Sequence, residues 1–129
     1  MRGWFLILGV LLSGCGGGAS VQPEDRSANI EPQNYKEDTI AFLRTYLNDP
    51  TGIRDAAISQ PVLKNIGSET RYVACLRFDA KKSNGEYAGS KARMAVFLSG
   101  RFDRLIETVR DQCNEAAYAP FPELERLSR

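Results

Sequence analysis

The sequence predicts an α+β domain. One amphipathic N-terminal helix packs on a small antiparallel sheet of three to four strands, short helical segments follow near the C-terminus, and one disulfide ties the fold. Three observations predict this class. Ile40, Leu43 and Leu47 recur at helical spacing. Segments 71–80 and 91–99 carry apolar residues in the manner of strands. Cys75 and Cys113 remain after a first cysteine that closes an export-type leader, and an even pair in an exported domain reads as a bridge.

The leader has a basic start at Arg2, an apolar run over residues 4–12 and small residues, Ser13 and Gly14, before Cys15. That order is the pattern of a secretory signal. The run is far shorter than the roughly 20 residues that a helix needs to cross the hydrocarbon core. Leu12, Ser13, Gly14 and Cys15 together resemble the lipobox of bacterial lipoproteins. The resemblance implies cleavage before Cys15 and acylation, palmitate included, of its thiol and new amino group. The membrane is then a partner through the lipid anchor. More than one acyl chain is what makes such anchoring stable. Gly16 stands where Asp would favour inner-membrane retention, so the resemblance implies an outer-membrane protein facing the periplasm.

Three segments follow: a signal peptide over 1–14, an acylated cysteine with a flexible tether over 15–33, and a single globular domain over 34–129. Residues 16–33 are mostly Gly, Ser, Pro, Gln and charged residues, too polar to fold alone. As a flexible coil this tether spans about 23 Å. The chain carries 17 Lys+Arg and 16 Asp+Glu, so losing Arg2 with the signal leaves the mature form formally neutral. Nothing in that balance points to nucleic acid. The chain has no histidine. That removes Ser-His-Asp and Cys-His catalysis and the commonest metal ligand together. Two cysteines without histidine make no metal site of the usual spacing. No phosphate-binding or dinucleotide fingerprint is present, and no cofactor is expected.

The helix starts at Asn34, a candidate cap, with Glu37 three residues on as in a capping box. It stops at Asn48, Asp49 and Pro50, because proline disfavours helix at the residue before it. Residues 53–66 are extended but broken by Pro61, which demotes them to an edge strand or loop. The strand over 71–80 places Tyr72, Ala74, Leu76 and Phe78 on one face and Val73, Cys75, Arg77 and Asp79 on the other. A loop over 81–90 contains the Asn84-Gly85 turn signal. A strand over 91–99 reverses at Gly100 and Arg101, and residues 102–108 pair back.

The bridge restricts this topology. In a three-strand meander the outer strands lie about 9.6 Å apart, whereas disulfide-linked Cα atoms lie within about 7 Å. With Ala80 opposite Ala92, Cys75 faces Phe97, and an extended chain would carry Cys113 roughly 30 Å beyond it. The chain must therefore turn. Leu105, Val109, Cys113 and Ala117 recur at helical spacing, so a helix over about 110–117 would bring Cys113 back across the sheet to Cys75. A helix running from Asp103 onward is the competing reading. Pro122 suits the first position of a final helical turn, with Tyr118 and Phe121 as anchors onto the domain.

With histidine absent, paired carboxylates are the remaining catalytic option. Asp79, Glu86, Glu107 and Asp111 are the candidates, none of them in a recognisable motif. The most suggestive surface is the hairpin around 81–90. Lys81, Lys82, Lys91 and Arg93 flank Tyr87 there, a pattern for contact with an anionic glycan, lipid head group or envelope protein. The plain alternative is a solvated hairpin whose lysines discourage edge pairing. The mature part also resembles a group of small exported bacterial proteins. The residues that carry the likeness include Tyr72, Val73, Ala74 and Cys75, the Gly85–Gly89 loop, Gly100, Arg101, Phe102, Asp103, Cys113, and residues 118–124. This likeness brings no catalytic residues. Small lipoproteins that support outer-membrane barrel assembly offer a fold-level analogy only. The expectation is a non-enzymatic, membrane-anchored lipoprotein that binds or scaffolds an envelope partner. A tethered inhibitor of a hydrolase is the alternative, and a carboxylate-dependent enzyme is a third.

Overall fold

The computed structural model describes Gly3, residues 28–107 and residues 109–128. Apart from Gly3, the signal segment over 1–14 lies outside the described residues, as do Cys15 and the tether up to residue 27.

Helix α1 spans Tyr35–Tyr46. Glu37 and Asp38 in its first turn and Arg44 in its last complement the helix dipole. The expected capping box does not form: Asn34 occupies the cap position but its side chain makes no cap hydrogen bond. Leu43 and Thr39 are buried, and the Thr39 hydroxyl donates to the Tyr35 carbonyl at 2.6 Å. Ile40, Phe42 and Leu47 complete the inward stripe, while Tyr46 is largely exposed.

Six strands follow, not three to four: β1 (Asp49–Ile58), β2 (Val62–Ile66), β3 (Glu69–Lys81), β4 (Lys91–Leu98), β5 (Arg101–Ile106) and β6 (Ala119–Pro120). A final turn of helix, α2, covers Pro122–Glu125, with Pro122 in its first turn. The sheet order is β5-β4-β3-β1-β6, all antiparallel, and β2 also pairs with β3. β1 and β2 are successive halves of one extended course along the same side of β3. Pro61 separates them, and only β2 lies at an edge. β1 is interior because the C-terminal β6 pairs with it at Ala57 and Ile58.

The break between β1 and β2 is closed by one side chain. The Ser59 N–H donates to the Cys75 carbonyl at 2.8 Å, and the Cys75 N–H donates to Ser59 Oγ at 2.8 Å. The hydroxyl thus replaces the backbone carbonyl that a continuous strand would offer.

The strand alternation over 72–80 holds. Ala74, Leu76, Phe78 and Ala80 join Ala95, Phe97, Ile53 and Ile58 in the main core, covered by Leu43 of α1 and by Phe121 and Leu124 around α2. Val73 and Cys75 lie on the opposite face with Met94 and Val96. Register departs from expectation: Cys75 faces Met94 rather than Phe97, and Phe78 faces Lys91. β3 and β4 therefore pair three positions away from the expected alignment.

The second apolar face is covered by residues 109–118, which form a strap. No α-helix forms there, contrary to both helical readings of this stretch; β5 ends at Ile106, and turns carry the chain on. The Asn114 N–H donates to the Asp111 carbonyl and the Ala116 N–H to that of Cys113, each at 3.2 Å. The expected crossing nevertheless occurs. Cys75 and Cys113 form a disulfide with Cα atoms 5.8 Å apart, and Val109, Ala116 and Tyr118 pack beside it. The strap takes the chain from the β5 edge to β6 on the far edge.

At its other end the domain reaches back to Ala28, which is buried and whose carbonyl accepts the Ser99 N–H at 3.0 Å. Ile30 lies against Gly100, whose positive φ of 80° makes the tight β4–β5 turn. Residues 28–33, expected to be tether, thus contribute to the fold.

Candidate functional site

The hairpin loop between β3 and β4 is built by its own backbone. The Lys82 N–H donates to the Glu86 carbonyl at 2.7 Å and the Gly85 N–H returns to Lys82 at 2.9 Å. This fold places Tyr87 beside Lys81 in a single bridge. The Tyr87 hydroxyl donates to the Gly52 carbonyl at 2.7 Å. Gly52 has a φ of 66°, a left-handed conformation that favours glycine.

Arg54 stacks on the Tyr87 ring. Its guanidinium carbon lies 3.6 Å from the Tyr87 ring centre, and Lys81 Nζ lies 5.8 Å from the same centre. Arg54 Nε also binds Asp79 Oδ2 at 3.0 Å, while Asp79 Oδ1 accepts the Gly89 N–H at 2.8 Å. The Asp79 side chain is 7% exposed, so each of its oxygens is partnered where water is scarce.

Of the five residues expected to meet an anionic partner, Lys81 and Tyr87 therefore come together and Lys82 sits exposed on the adjoining turn. Lys91 and Arg93 are drawn elsewhere, to Glu107 Oε2, at 3.3 and 3.0 Å. Arg93 is buried, stacks over Phe78 at 4.2 Å and leaves Nη1 without a hydrogen-bond partner. Tyr46 donates its hydroxyl to Glu107 Oε1. Burial acts to raise the Glu107 carboxyl, but the Tyr46 hydroxyl and the two cations outweigh it and hold the carboxyl below its ordinary value. The Tyr46 phenol is raised, chiefly by the same hydrogen bond and then by burial.

The four carboxylates considered for catalysis are dispersed. Asp79 is held by Arg54 and Gly89, Glu107 by Tyr46, Arg93 and Lys91, Asp111 lies beside Asn114, and Glu86 sits on the exposed loop. Among the described residues no group of three His, Cys, Asp or Glu is placed to hold a metal ion. No helix of these residues is long and apolar enough to cross a membrane.

A groove of about 990 Å³ opens on the strap face, between the end of the strap and the sheet. Arg77 of β3 lines it, with Ala57 of β1 and Ala92 of β4 directly opposite on either side. The Arg77 guanidinium carbon lies 4.4 Å from the ring centre of Tyr118. Burial raises the Tyr118 phenol, with nearby Arg77 acting against it, and the hydroxyl is buried without a hydrogen-bond partner. A second hollow of about 700 Å³ lies at the β1–β2 break, beside the exposed Val62 and the partly buried Lys64.

Arg54 and Arg77 were not among the residues expected at a site. The signal for Arg77 is present in the sequence: it is the one charged residue within the apolar alternation over 72–78. Arg54 had no such signal, because it sits on β1 beside two irregularities in pairing, one of them next to Asp55 with φ 56°. No protein family matches this chain, no curated protein matches it, and no solved structure matches its fold.

Proposed function

We propose that this is a lipid-anchored protein of the cell envelope, acylated at Cys15 after removal of residues 1–14. On this reading it faces the periplasm from the outer membrane and works without catalysis, by holding an anionic envelope partner. One observation carries the reading. The chain joins the domain at the Ser99-Gly100 turn, where Ala28 bonds Ser99 and Ile30 packs on Gly100. The loop that bears Lys81, Lys82 and Tyr87 closes the opposite end of the same hairpin. A tether leaving at one end of β4 frees the basic, aromatic end for a partner.

The test has two parts. Mass measurement of the mature N-terminus should find an acylated Cys15, and Cys15→Ala should release the protein from membranes. Crosslinking from the loop in intact envelopes should then recover a partner whose capture is lost in Lys81→Glu/Lys82→Glu. An unmodified Cys15 would overturn the anchor, and capture indifferent to the two lysines would overturn the binding end. Recovery of a hydrolase that the protein silences would replace this reading with that of a tethered inhibitor.

A further inference from the structure

We infer that the Arg77 groove is a binding site for a terminal carboxylate on a small, weakly polar body, the chemistry of a short peptide ending in alanine. This deepens the function proposed above and rests on it for the source of the ligand alone.

A charge in the middle of a central strand is usually paired or covered. Arg77 is exposed apart from its contact with the Tyr118 ring, and no carboxylate pairs with it among the described residues. Asp79 is committed to Arg54 and Gly89, Glu107 to Lys91, Arg93 and Tyr46, and Asp55, the acid that lines the groove, makes no ion pair with Arg77. The cross-strand neighbours Ala57 and Ala92 are too short to reach over the guanidinium, so they leave an open lane on each side. Stacking on Tyr118 restrains the guanidinium plane while keeping its N–H fork available. That fork matches the two oxygens of a carboxylate.

The remaining walls define the body of the ligand. Ala116, Ala119 and Pro120 give methyl and methylene surface, and Ser90 and Asn114 offer neutral polar groups. Lys91 lines the same groove and adds a second positive charge, tempered by its pairing with Glu107. Asp55 lies at the groove too, which disfavours ligands with several negative charges. One carboxylate on a small body fits this balance better than a polyphosphate or a polyanionic glycan.

The experiment is an NMR titration of the full chain in detergent micelles, reading the backbone amides of Ala57, Arg77 and Ala92 and the Arg77 side-chain Nε–H. The probes are N-acetyl-alanyl-alanine in the L,L and D,D forms, each as free acid and as C-terminal amide. Saturable shifts at these positions are expected for the free acid, with the amide binding about tenfold or more weakly, since a charge-assisted pair is lost. Preference for the L,L form points to protein termini and preference for D,D to wall-type peptides. Arg77→Gln should abolish the acid-to-amide difference while leaving the amide spectrum of the main core unchanged. Equal shifts for acid and amide, or shifts confined to residues away from the groove, overturn the proposal. Those results leave the anchor and the loop-dependent capture standing, whereas an unmodified Cys15 removes the envelope reading and leaves acid-to-amide discrimination intact.

Discussion

The guanidinium of Arg54 is shared between two residues 8 positions apart, stacking on Tyr87 at 3.6 Å and binding Asp79 at 3.0 Å. It links the hairpin loop to the middle of β1 and partners an almost fully buried aspartate. Replacing Arg54 with Ala should destabilise the domain by about 1–3 kcal/mol, because Asp79 would keep only the Gly89 N–H. Arg54→Lys restores the charge but not the planar stack, so it should recover part of the loss. Urea denaturation of the three proteins checks this, and equal midpoints would refute it.

Ser59→Ala tests the repair at the strand break. The Cys75 N–H is buried and has Ser59 Oγ as its acceptor. Leaving that donor unmet should cost about 1–3 kcal/mol. Amide exchange at Cys75 should accelerate more than exchange at Ala95, which lies in the same sheet but away from the break.

Reduction of Cys75–Cys113, or its removal as Cys75→Ala/Cys113→Ser, should cost about 2–4 kcal/mol. The strap has little else to hold it: its turns, the bond from Lys64 Nζ to the Gln112 carbonyl and contacts around Val109 and Tyr118. Side-chain NMR signals should therefore change first at Val73, Met94 and Val96 beneath it, and later at Leu76 and Phe97 under the helices. Equal change on both faces would contradict this ordering.

Acid should weaken the fold partly through Glu107. Its folded carboxyl lies below the ordinary value, so its contribution is present above the unfolded glutamate value of about 4.3 and is lost as pH falls through the folded value. Tyr46 runs the other way. Its raised phenol contributes fully below about pH 10 and loses that contribution as pH rises through the folded value. In Glu107→Gln the decline in urea midpoint on acidification should be shallower than in the parent chain. An unchanged slope would show that other carboxylates carry the effect.

The legible part of this fold was whatever depended on period. Alternation placed Ala74, Leu76 and Phe78 on one face and Val73 and Cys75 on the other, and helical spacing placed Leu43 inward. Register was not legible, because the Asn84-Gly85 signal marks a turn inside the loop and leaves open how far β3 runs before it. β3 continues to Lys81 and bridges to Tyr87, which moves Cys75 from Phe97 to Met94. Leu105, Val109 and Cys113 match helical spacing, yet Leu105 belongs to β5 and packs on the main core, while contacts to the second face hold Val109 and Cys113 in the irregular strap. Pro61 marks residues 53–66 as an edge strand or loop, and β6, with only two residues, has too little periodicity to reveal that it covers β1. At the site, the clustering of cations in sequence carried over for Lys81 and Tyr87. It did not for Lys91 and Arg93, since Glu107 arrives beside them from β5's end, a contact with no local trace.

The way the chain joins the sheet also decides how the domain responds to force. A pull on Ala28 acts first on its backbone hydrogen bond to Ser99 and then on the chain leading into α1. Yielding of this kind needs little tension. The disulfide bounds how far it goes, because the 38-residue separation between Cys75 and Cys113 closes a loop that tension cannot lengthen. β4, β5 and the first half of the strap lie within that loop. A stretched molecule would give way early and pay out chain before Cys75 and after Cys113, while β4 and β5 stay enclosed by the bridge that joins the central strand to the strap.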